Sequence, residues 1–240
     1  MFYDTTFANV TSHTCNWVVP TGVTGVTFEI WGGGGGGASG NCECDCRVRT
    51  GPGGGGGYSM ITIPVTPGAT YAMTMGNGGV ASSGDGGPSS SGAGAARGCC
   101  GGTTFITGTG LSNFCAEGGK GGCNDITTNC YSCACQADFG GNAYGGTINF
   151  KGGFASIGRI GGGSCWNFYS IGGDGAGPGG GSGGKNMSAY SSFQCGTRCG
   201  NPLMDGMLPG GGGAGHGCAE CVCRTTGSGR GAPGLIKITW

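Results

Sequence analysis

Nine of the 17 cysteines in this chain are grouped in three triplets whose spacing suits chemistry at sulfur. The triplets are Cys42, Cys44 and Cys46; Cys130, Cys133 and Cys135; and Cys218, Cys221 and Cys223. The last two share the pattern C-x-x-C-x-C. Thiolates at such spacing bind zinc or an iron–sulfur cluster. The two histidines, His13 and His216, have no partner at ligand spacing, so a metal site formed by the last two triplets is the weaker interpretation.

Disulfide bonds are the interpretation that we favour for these cysteines. Ordering a glycine-rich backbone is costly in entropy, and cross-links between loops offset part of that cost. The adjacent Cys99 and Cys100 belong to the same set of disulfide candidates. Because 17 is odd, at least one thiol is free, metal-bound or linked to another chain. Metal binding and free thiols stay open beside disulfides within the chain or between copies.

Residue types that catalyse reactions are present, but their arrangement does not predict an enzyme. The pentapeptide GGSGG at 180–184 matches the serine-hydrolase elbow only formally, because no predicted strand and helix flank it. Gly184-Lys185-Asn186 lacks the Ser or Thr with which a phosphate loop holds magnesium. The carboxylates are scattered, without a close pair in an apolar setting for acid–base catalysis. We therefore predict neither catalytic residues nor a cofactor.

Five aromatic residues that interrupt the glycine clusters offer a better basis for function. They are Trp166, Phe168, Tyr169, Tyr190 and Phe193. Aromatic residues in loops on a rigid scaffold give a binding surface a large contact area at low entropic cost. We predict that these five residues contact a receptor. An equally weighted alternative is that they fill a small core or a subunit interface.

The composition limits the classes of protein that remain. Glycine accounts for 65 of 240 residues, about four times ordinary usage, in clusters without the period of three that collagen requires. Charged residues are only 9 %, with 11 basic against 11 acidic, so the chain lacks the charge that solvates disordered segments and a basic patch for nucleic acid. No apolar run reaches the roughly 18 residues of a membrane span. We predict an ordered protein that neither binds nucleic acid nor inserts into a membrane.

Short alternating runs predict the strands that must position these groups. In Val26–Trp31, apolar residues at every second position define one face of a strand, and six glycines follow at 32–37. Residues 58–75 alternate on both sides of Thr66-Pro67-Gly68-Ala69, which suits a type II turn, so we predict a hairpin. The run LIKITW at the C-terminus predicts a last strand. Glycine segments with three residues per turn, as in polyproline II, can pack side by side and pair their N–H and C=O groups.

These elements predict the all-β class and a single glycine-rich domain over residues 1–240. The terminal strands, one of them near Thr6–Val10, and the 58–75 hairpin would form a small β-sandwich. Packed glycine-rich segments of polyproline II type would form a slab on it, with residues 76–234 as a glycine-rich region of long ordered loops. No stretch repeats apolar residues at helical spacing, so we expect almost no helix.

The order of these motifs resembles the glycine-rich virion proteins of tailed bacteriophages. The motifs are Trp17–Gly37, GGGGGYS at 53–59, VTPGATY at 65–71, GNGG at 76–79 and GAPGLIKITW at 231–240. The stretch LSNFCAEGGKGG at 111–122 is more narrowly similar to structural proteins of marine cyanobacterial phages. The resemblance spans most of the chain.

This resemblance implies a virion structural protein, assembled in the host cytoplasm and then carried outside the cell. In related phages such proteins are tail-fibre tips or adhesins, whose glycine-rich core presents variable loops to the host surface. We therefore expect other virion proteins as partners, a homo-oligomer, and a host receptor that meets loops 123–139, 164–171 and 186–208. The alternatives are a capsid decoration or tail-shaft protein that only stabilises the particle, and a cysteine-rich metal-binding module.

Overall fold

The computed structural model describes residues 12–38, 49–82, 97–125, 140–160, 167–187, 204–215 and 228–240. These stretches contain short strands and no helix. The strands are β1 (Ser12–Val18), β2 (Gly25–Trp31), β3 (Arg49–Thr50), β4 (Tyr58–Pro64), β5 (Thr70–Gly76), β6 (Thr104–Thr107), β7 (Cys115–Ala116), β8 (Asn124–Asp125), β9 (Ala143–Tyr144), β10 (Ile148–Phe150), β11 (Ser156–Ile160), β12 (Asn167–Ile171), β13 (Lys185–Met187) and β14 (Leu235–Thr239). The described part of the chain therefore has no helix that could cross a membrane.

Antiparallel pairing joins these strands into two larger and two smaller sheets. The five-stranded sheet has the order β1-β5-β6-β7-β9, and the four-stranded sheet has the order β10-β4-β2-β14. Strands β11, β12 and β13 form a third sheet, and β3 pairs with β8. The all-β prediction is confirmed, and residues 76–234 contribute strands to both larger sheets rather than loops alone. The predicted strand near Thr6–Val10 lies outside the described residues.

The hydrophobic core lies between the two larger sheets. Val26, Phe28 and Ile30 of β2 face it, as their alternation predicts. Tyr71 and Met73 of β5 pack against them from the opposite sheet. The Phe28 ring, which is fully buried, lies 5.2 Å from the ring of Tyr71 between centroids. In β2 and β5, residues at every second position thus bury their side chains between the two sheets of a β-sandwich.

Strands β4 and β5 are present where predicted, but the predicted 58–75 hairpin is wrong. β4 pairs with β2 and β10 in one sheet, whereas β5 pairs with β1 and β6 in the other. The connection contains the predicted type II turn, with Gly68 at φ 84° and the Ala69 N–H donating to the Thr66 carbonyl at 3.0 Å. The chain crosses between the sheets here, beside the connection that joins β1 to β2. The two connections are hydrogen-bonded to each other, since the Val19 carbonyl accepts from the Gly68 N–H and the Thr24 carbonyl accepts from the Val65 N–H.

The other face of the four-stranded sheet carries a charged network. The Tyr58 hydroxyl donates to a Glu29 carboxylate oxygen at 3.0 Å, and Lys237 lies 2.6 Å from the other oxygen. Burial raises the pKa of the Tyr58 phenol above its usual range, and the hydrogen bond and charge of Glu29 add to this. Because β4, β2 and β14 contribute one residue each, the network ties three neighbouring strands together.

Candidate functional site

The glycines that follow β2 form the centre of a packed glycine array. Within residues 32–38, every third N–H donates to the same neighbouring segment, which requires three residues per turn. Gly32, Gly35 and Ala38 donate to Gly57, Gly54 and Gly51; Gly33 and Gly36 donate to Gly102 and Cys99; and Gly34 and Gly37 donate to Ala232 and Gly229. The donor distances lie between 2.8 and 3.0 Å. The segment therefore has polyproline II geometry and three antiparallel neighbours.

Three further segments donate to the carbonyl groups of the same central segment. Gly119 and Gly122 donate to Gly33 and Gly36; Gly79 and Ser82 donate to Gly34 and Gly37; and Gly213 donates to Gly35. Six segments thus surround residues 32–38, three as acceptors and three as donors. We call the central segment and its neighbours at 51–57, 79–82, 99–102, 119–122, 210–213 and 229–232 the glycine slab.

A second segment of the slab, residues 51–57, is bonded in the same way. Gly51, Gly54 and Gly57 donate to Cys123, Lys120 and Glu117, again at every third residue. Pro52 is buried in this segment, where its fixed φ suits polyproline II geometry and its missing N–H removes one donor. The predicted packing of glycine-rich segments is therefore present in the described residues, and it continues the four-stranded sheet from the ends of β2 and β4.

Close contact between backbones explains why the slab consists of glycine. A Cβ atom placed on any of the glycines at 32–37 would collide with a backbone carbonyl of a neighbouring segment. For Gly35 this is the carbonyl of Lys120, and for Gly34 it is that of Gly211. Backbone atoms cannot rotate away as a flexible side chain can, so substitution must push two segments apart. The slab is a rigid block about 19 Å long over six residues at ~3.1 Å each.

The end of the slab remote from the two larger sheets brings together residues that are far apart in sequence. Ser82 donates its N–H to the Gly37 carbonyl at 3.2 Å, and the Ser228 hydroxyl donates to the same oxygen at 2.6 Å. Ala38 donates to Gly51, which donates to Cys123. The Gly215 nitrogen would lie 2.9 Å from a Cβ on Gly37. We call this group, Gly37, Ala38, Gly51, Ser82, Cys123, Gly215 and Ser228, the slab end.

Every member of the slab end lies within two residues of the end of a described stretch. The segments 39–48 and 216–227, each with one cysteine triplet, both start and finish at the slab end, and 126–139 with the third triplet starts two residues beyond it. The Gly215 N–H also donates to the Ser170 hydroxyl at 2.8 Å, which places β12 beside the slab end. The fold therefore brings together, at one end, described residues that flank three long cysteine-bearing segments.

The predicted aromatic contacts are only partly within the described residues. Trp166, Tyr190 and Phe193 lie outside them. Phe168 and Tyr169 belong to β12, where they pair with Arg159 and Gly158 of β11. The prediction of a loop over 164–171 is therefore wrong for 167–171, because antiparallel pairing with β11 and β13 makes this stretch a strand. The receptor role of all five aromatic residues stays a prediction.

The predicted cysteine sites also lie mostly outside the described residues, since all three triplets do. Cys99 and Cys100 are described, and both thiols are exposed and not bonded to another cysteine. The Gly121 N–H lies 3.5 Å from the Cys100 sulfur. No disulfide and no group of three metal-ligating side chains occurs among the described residues. Disulfides of these cysteines, between copies or within the chain, stay a prediction.

Two serines of the slab end were not among the residues singled out from the sequence. Ser82 and Ser228 close the slab by bonding to Gly37, and Ser228 also reaches the Ser82 carbonyl at 3.3 Å. Ser228 lies between two glycines in the motif GSG, whereas Ser82 lies between Ala81 and Ser83. A serine within a glycine run is the signal that could have found Ser228, because its short hydroxyl can bond to nearby backbone.

Charged side chains play little part in the slab itself. Among its described neighbours, Glu117 bonds through its carboxylate to the Asn142 side chain at 3.0 Å, and Asp174 accepts from the Gly183 N–H at 2.8 Å. Burial, and then the charge of Glu117, raise the pKa of the nearby Cys115 thiol, which keeps it protonated at neutral pH. These side chains form hydrogen bonds with backbone groups and with each other. These contacts hold segments beside the slab in place.

Comparison with known proteins agrees with the glycine-rich architecture. The model of one protein family, described as a glycine-rich domain, matches residues 9–240. The match covers both ends of the β-sandwich and all segments of the slab. No curated protein matches the chain.

Proposed function

We propose that this chain, which belongs to the glycine-rich domain family, is a structural protein of a tailed-phage virion that attaches the particle to the host surface through its slab end. The convergence of distant segments on Gly37 is the observation that carries this proposal. A surface that recognises a partner needs several variable segments held close together by something rigid. The slab supplies the rigid part and places the segments at one end.

The dense bonding of the slab supports this role because it gives the host-contacting segments a rigid base. Residues 32–38 are bonded to six neighbours and all of them are buried. Segments 39–48, 126–139 and 216–227 are joined to this block through the described residues that flank them.

Each of the three stretches predicted to meet a host receptor has a described residue at or next to the slab end. Residue 123 of the loop 123–139 is a member of the slab end, and Ser170 of 164–171 bonds to another member, Gly215. Met204 accepts from the Ala214 N–H at 2.8 Å, next to Gly215, and it lies in the stretch 186–208.

The resemblance to glycine-rich virion proteins of tailed phages supports the virion location, and its cyanobacterial element suggests the host. The partners that we propose are other virion proteins and a molecule on the host surface. A capsid decoration or tail-shaft protein is the rival role, and it makes no use of a loop-bearing end.

Cell binding tests the attachment role. Purified chain mixed with whole cells from a panel of marine cyanobacterial strains should co-sediment with the cells of a susceptible strain and block adsorption of phage to them. The double variant Trp166→Ala with Phe193→Ala should lose binding. Trp240→Ala should retain it, since Trp240 is exposed on the β-sandwich beside Trp17. Protein that binds no strain and does not slow adsorption would contradict attachment and favour a stabilising role.

A further inference from the structure

Strand β1 is an edge of the five-stranded sheet, because among the described residues a strand pairs with one side of it only. The other edges of the two larger sheets are protected in the described part of the chain. β9 has two residues, β10 has three, and β14 carries Lys237 in its centre. β1 has seven residues, SHTCNWV, with no proline, lysine or acidic residue. A long, uncharged edge of this kind is a template for pairing with another strand.

The hydrogen-bonding direction along β1 follows from one bond next to it. Val19 pairs with Ala69 in the register of β1 and β5, and its N–H donates to Ala69 at 2.9 Å. Because bonded positions alternate along an antiparallel pair, Trp17, Cys15 and His13 direct their backbone groups toward β5. Thr14, Asn16 and Val18 direct theirs away from the sheet. The outward positions are thus the even-numbered residues.

A second copy of β1 suits this edge better than another strand does, because the edge is complementary to itself. In an antiparallel pair that overlaps all seven residues, Cys15 lies opposite Cys15 of the second copy, and Thr14 lies opposite its Asn16. The outward backbone groups of even-numbered residues then bond to each other in both directions. The strand has no formal charge to repel its copy, since it contains no Asp, Glu, Lys or Arg.

Apolar groups beside the edge extend the same surface. Val18 is 54 % exposed and Trp240 is 64 % exposed. The Trp240 ring packs on Trp17 of β1, with 5.7 Å between the ring centroids. Exposed large apolar side chains next to the open edge of a strand favour burial against a partner.

We propose that β1 joins two copies of this chain into a dimer through antiparallel pairing centred on Cys15, so that the five-stranded sheets become continuous. Cys15 faces its copy at a position where strands exchange no hydrogen bonds, and Cα atoms at such positions lie about 4.5 Å apart. That spacing lies at the short end of the range that a disulfide spans. The Cys15 thiol is exposed and not bonded to another cysteine, so it can report the register. This interface is independent of the attachment role proposed for the slab end.

Sedimentation equilibrium of the whole chain under reducing conditions tests the dimer, and cross-linking tests its register. The chain should sediment at twice its monomer mass. With copper–phenanthroline and oxygen as oxidant, two thiols lose two protons and two electrons, and mass spectrometry should find a Cys15–Cys15 disulfide between two copies. Cys15→Ser should lose that cross-link and still form a dimer under reducing conditions.

Asn16→Pro provides the decisive variant, with Asn16→Ala as its matched control. Position 16 directs its N–H outward, so proline removes a donor to the second copy and none to β5. N16P should be a monomer with an unchanged circular dichroism spectrum, and N16A should remain a dimer. A monomeric wild-type chain would overturn the proposal, as would a dimer that N16P does not weaken. If N16P fails to fold, the Cys15–Cys15 cross-link of the wild-type chain is the test of the dimer. A wild-type chain that forms no such cross-link under oxidation would also overturn the proposal.

Discussion

The hydroxyl of Ser228 donates to the carbonyl of Gly37 at 2.6 Å, although 191 residues separate the two in sequence. Gly37 is the last glycine of the central segment of the slab, and Ser228 begins the last described stretch of the chain. The bond joins two distant parts of the glycine-rich region at the slab end. With the Ser82 N–H, which donates to the same carbonyl, it holds the slab end together, and its contribution to stability can be measured.

Replacing Ser228 by alanine should lower the free energy of unfolding by about 1 kcal/mol, because one intramolecular hydrogen bond is lost. The Gly37 carbonyl keeps the Ser82 N–H as a donor, which limits the loss. Urea-induced unfolding followed by tryptophan fluorescence measures the change. Ser112→Ala, at an exposed serine, is the control and should have no effect. An equal effect of both variants would show that the Ser228 bond does not stabilise the slab end.

Replacing Gly35 by alanine should lower the free energy of unfolding by about 1–3 kcal/mol or prevent folding, as expected for overpacking. The new methyl group would meet the Lys120 backbone carbonyl in the centre of the slab. Gly25→Ala is the matched control, since nothing lies within 4 Å of a Cβ there. Gly25→Ala should be neutral or slightly stabilising. Equal stability of the two variants would contradict the close packing of the slab.

The buried hydrogen bond between Tyr58 and Glu29 should make the free energy of unfolding fall at alkaline pH. Burial, and then the hydrogen bond to Glu29, raise the pKa of Tyr58 above its ordinary value of 10.0. Below about pH 10 both the folded and unfolded states keep the phenolic proton. Above it the unfolded chain loses the proton first, so the free energy of unfolding falls as pH rises.

Tyr58→Phe should therefore reduce this alkaline loss, and at neutral pH it should cost about 2 kcal/mol for a hydrogen bond to a charged group. Part of the alkaline loss should remain, because burial also raises the pKa of Tyr71. Thermal unfolding between pH 7 and 11 gives both quantities. Tyr144→Phe, at an exposed tyrosine, is the control. A wild-type stability that does not fall in alkali faster than that of Tyr58→Phe would contradict the bonding of Tyr58 to Glu29.

Phe28→Ala should lower the free energy of unfolding by about 3–5 kcal/mol, because it leaves a cavity between the two sheets. The Phe28 ring contacts Trp17, Tyr71 and Phe114, which come from three separate parts of the five-stranded side. Phe154→Ala, at a phenylalanine that is 63 % exposed, should cost under about 1 kcal/mol. Denaturant titration measures the free energy of unfolding of both variants. A small effect at Phe28 would mean that the sheets do not share this core.

The sequence predicts the strands well where apolar residues alternate without interruption. Val26, Phe28 and Ile30 face the core, and Gly68 has the positive φ that its turn requires. The hairpin prediction failed because alternation directs Ile63 and Tyr71 toward one core whether their strands pair or face each other. The choice depends on bonds from Val65 and Gly68 to residues more than 40 positions earlier, which no local pattern shows.

The sequence predicts that the glycine segments pack together, but it does not predict which segments lie side by side. Glycine runs at 32–37 and 53–57 predict close backbone packing, since only glycine permits it. Which run lies beside which is decided by the period-three bonds, and clusters of identical residues carry no information on register. The meeting of Ser82 and Ser228 at Gly37 is a consequence of that register. Sequence could therefore not predict the slab end.

We propose that the chain belongs to a phage particle and carries its attachment surface at the slab end. Antibody-gold labelling of intact phage particles from cultures that produce the chain, viewed by electron microscopy, tests it most directly. We expect gold at the distal ends of the tail fibres or at the tail tip. Gold spread over the capsid, or particles with no label, would contradict it.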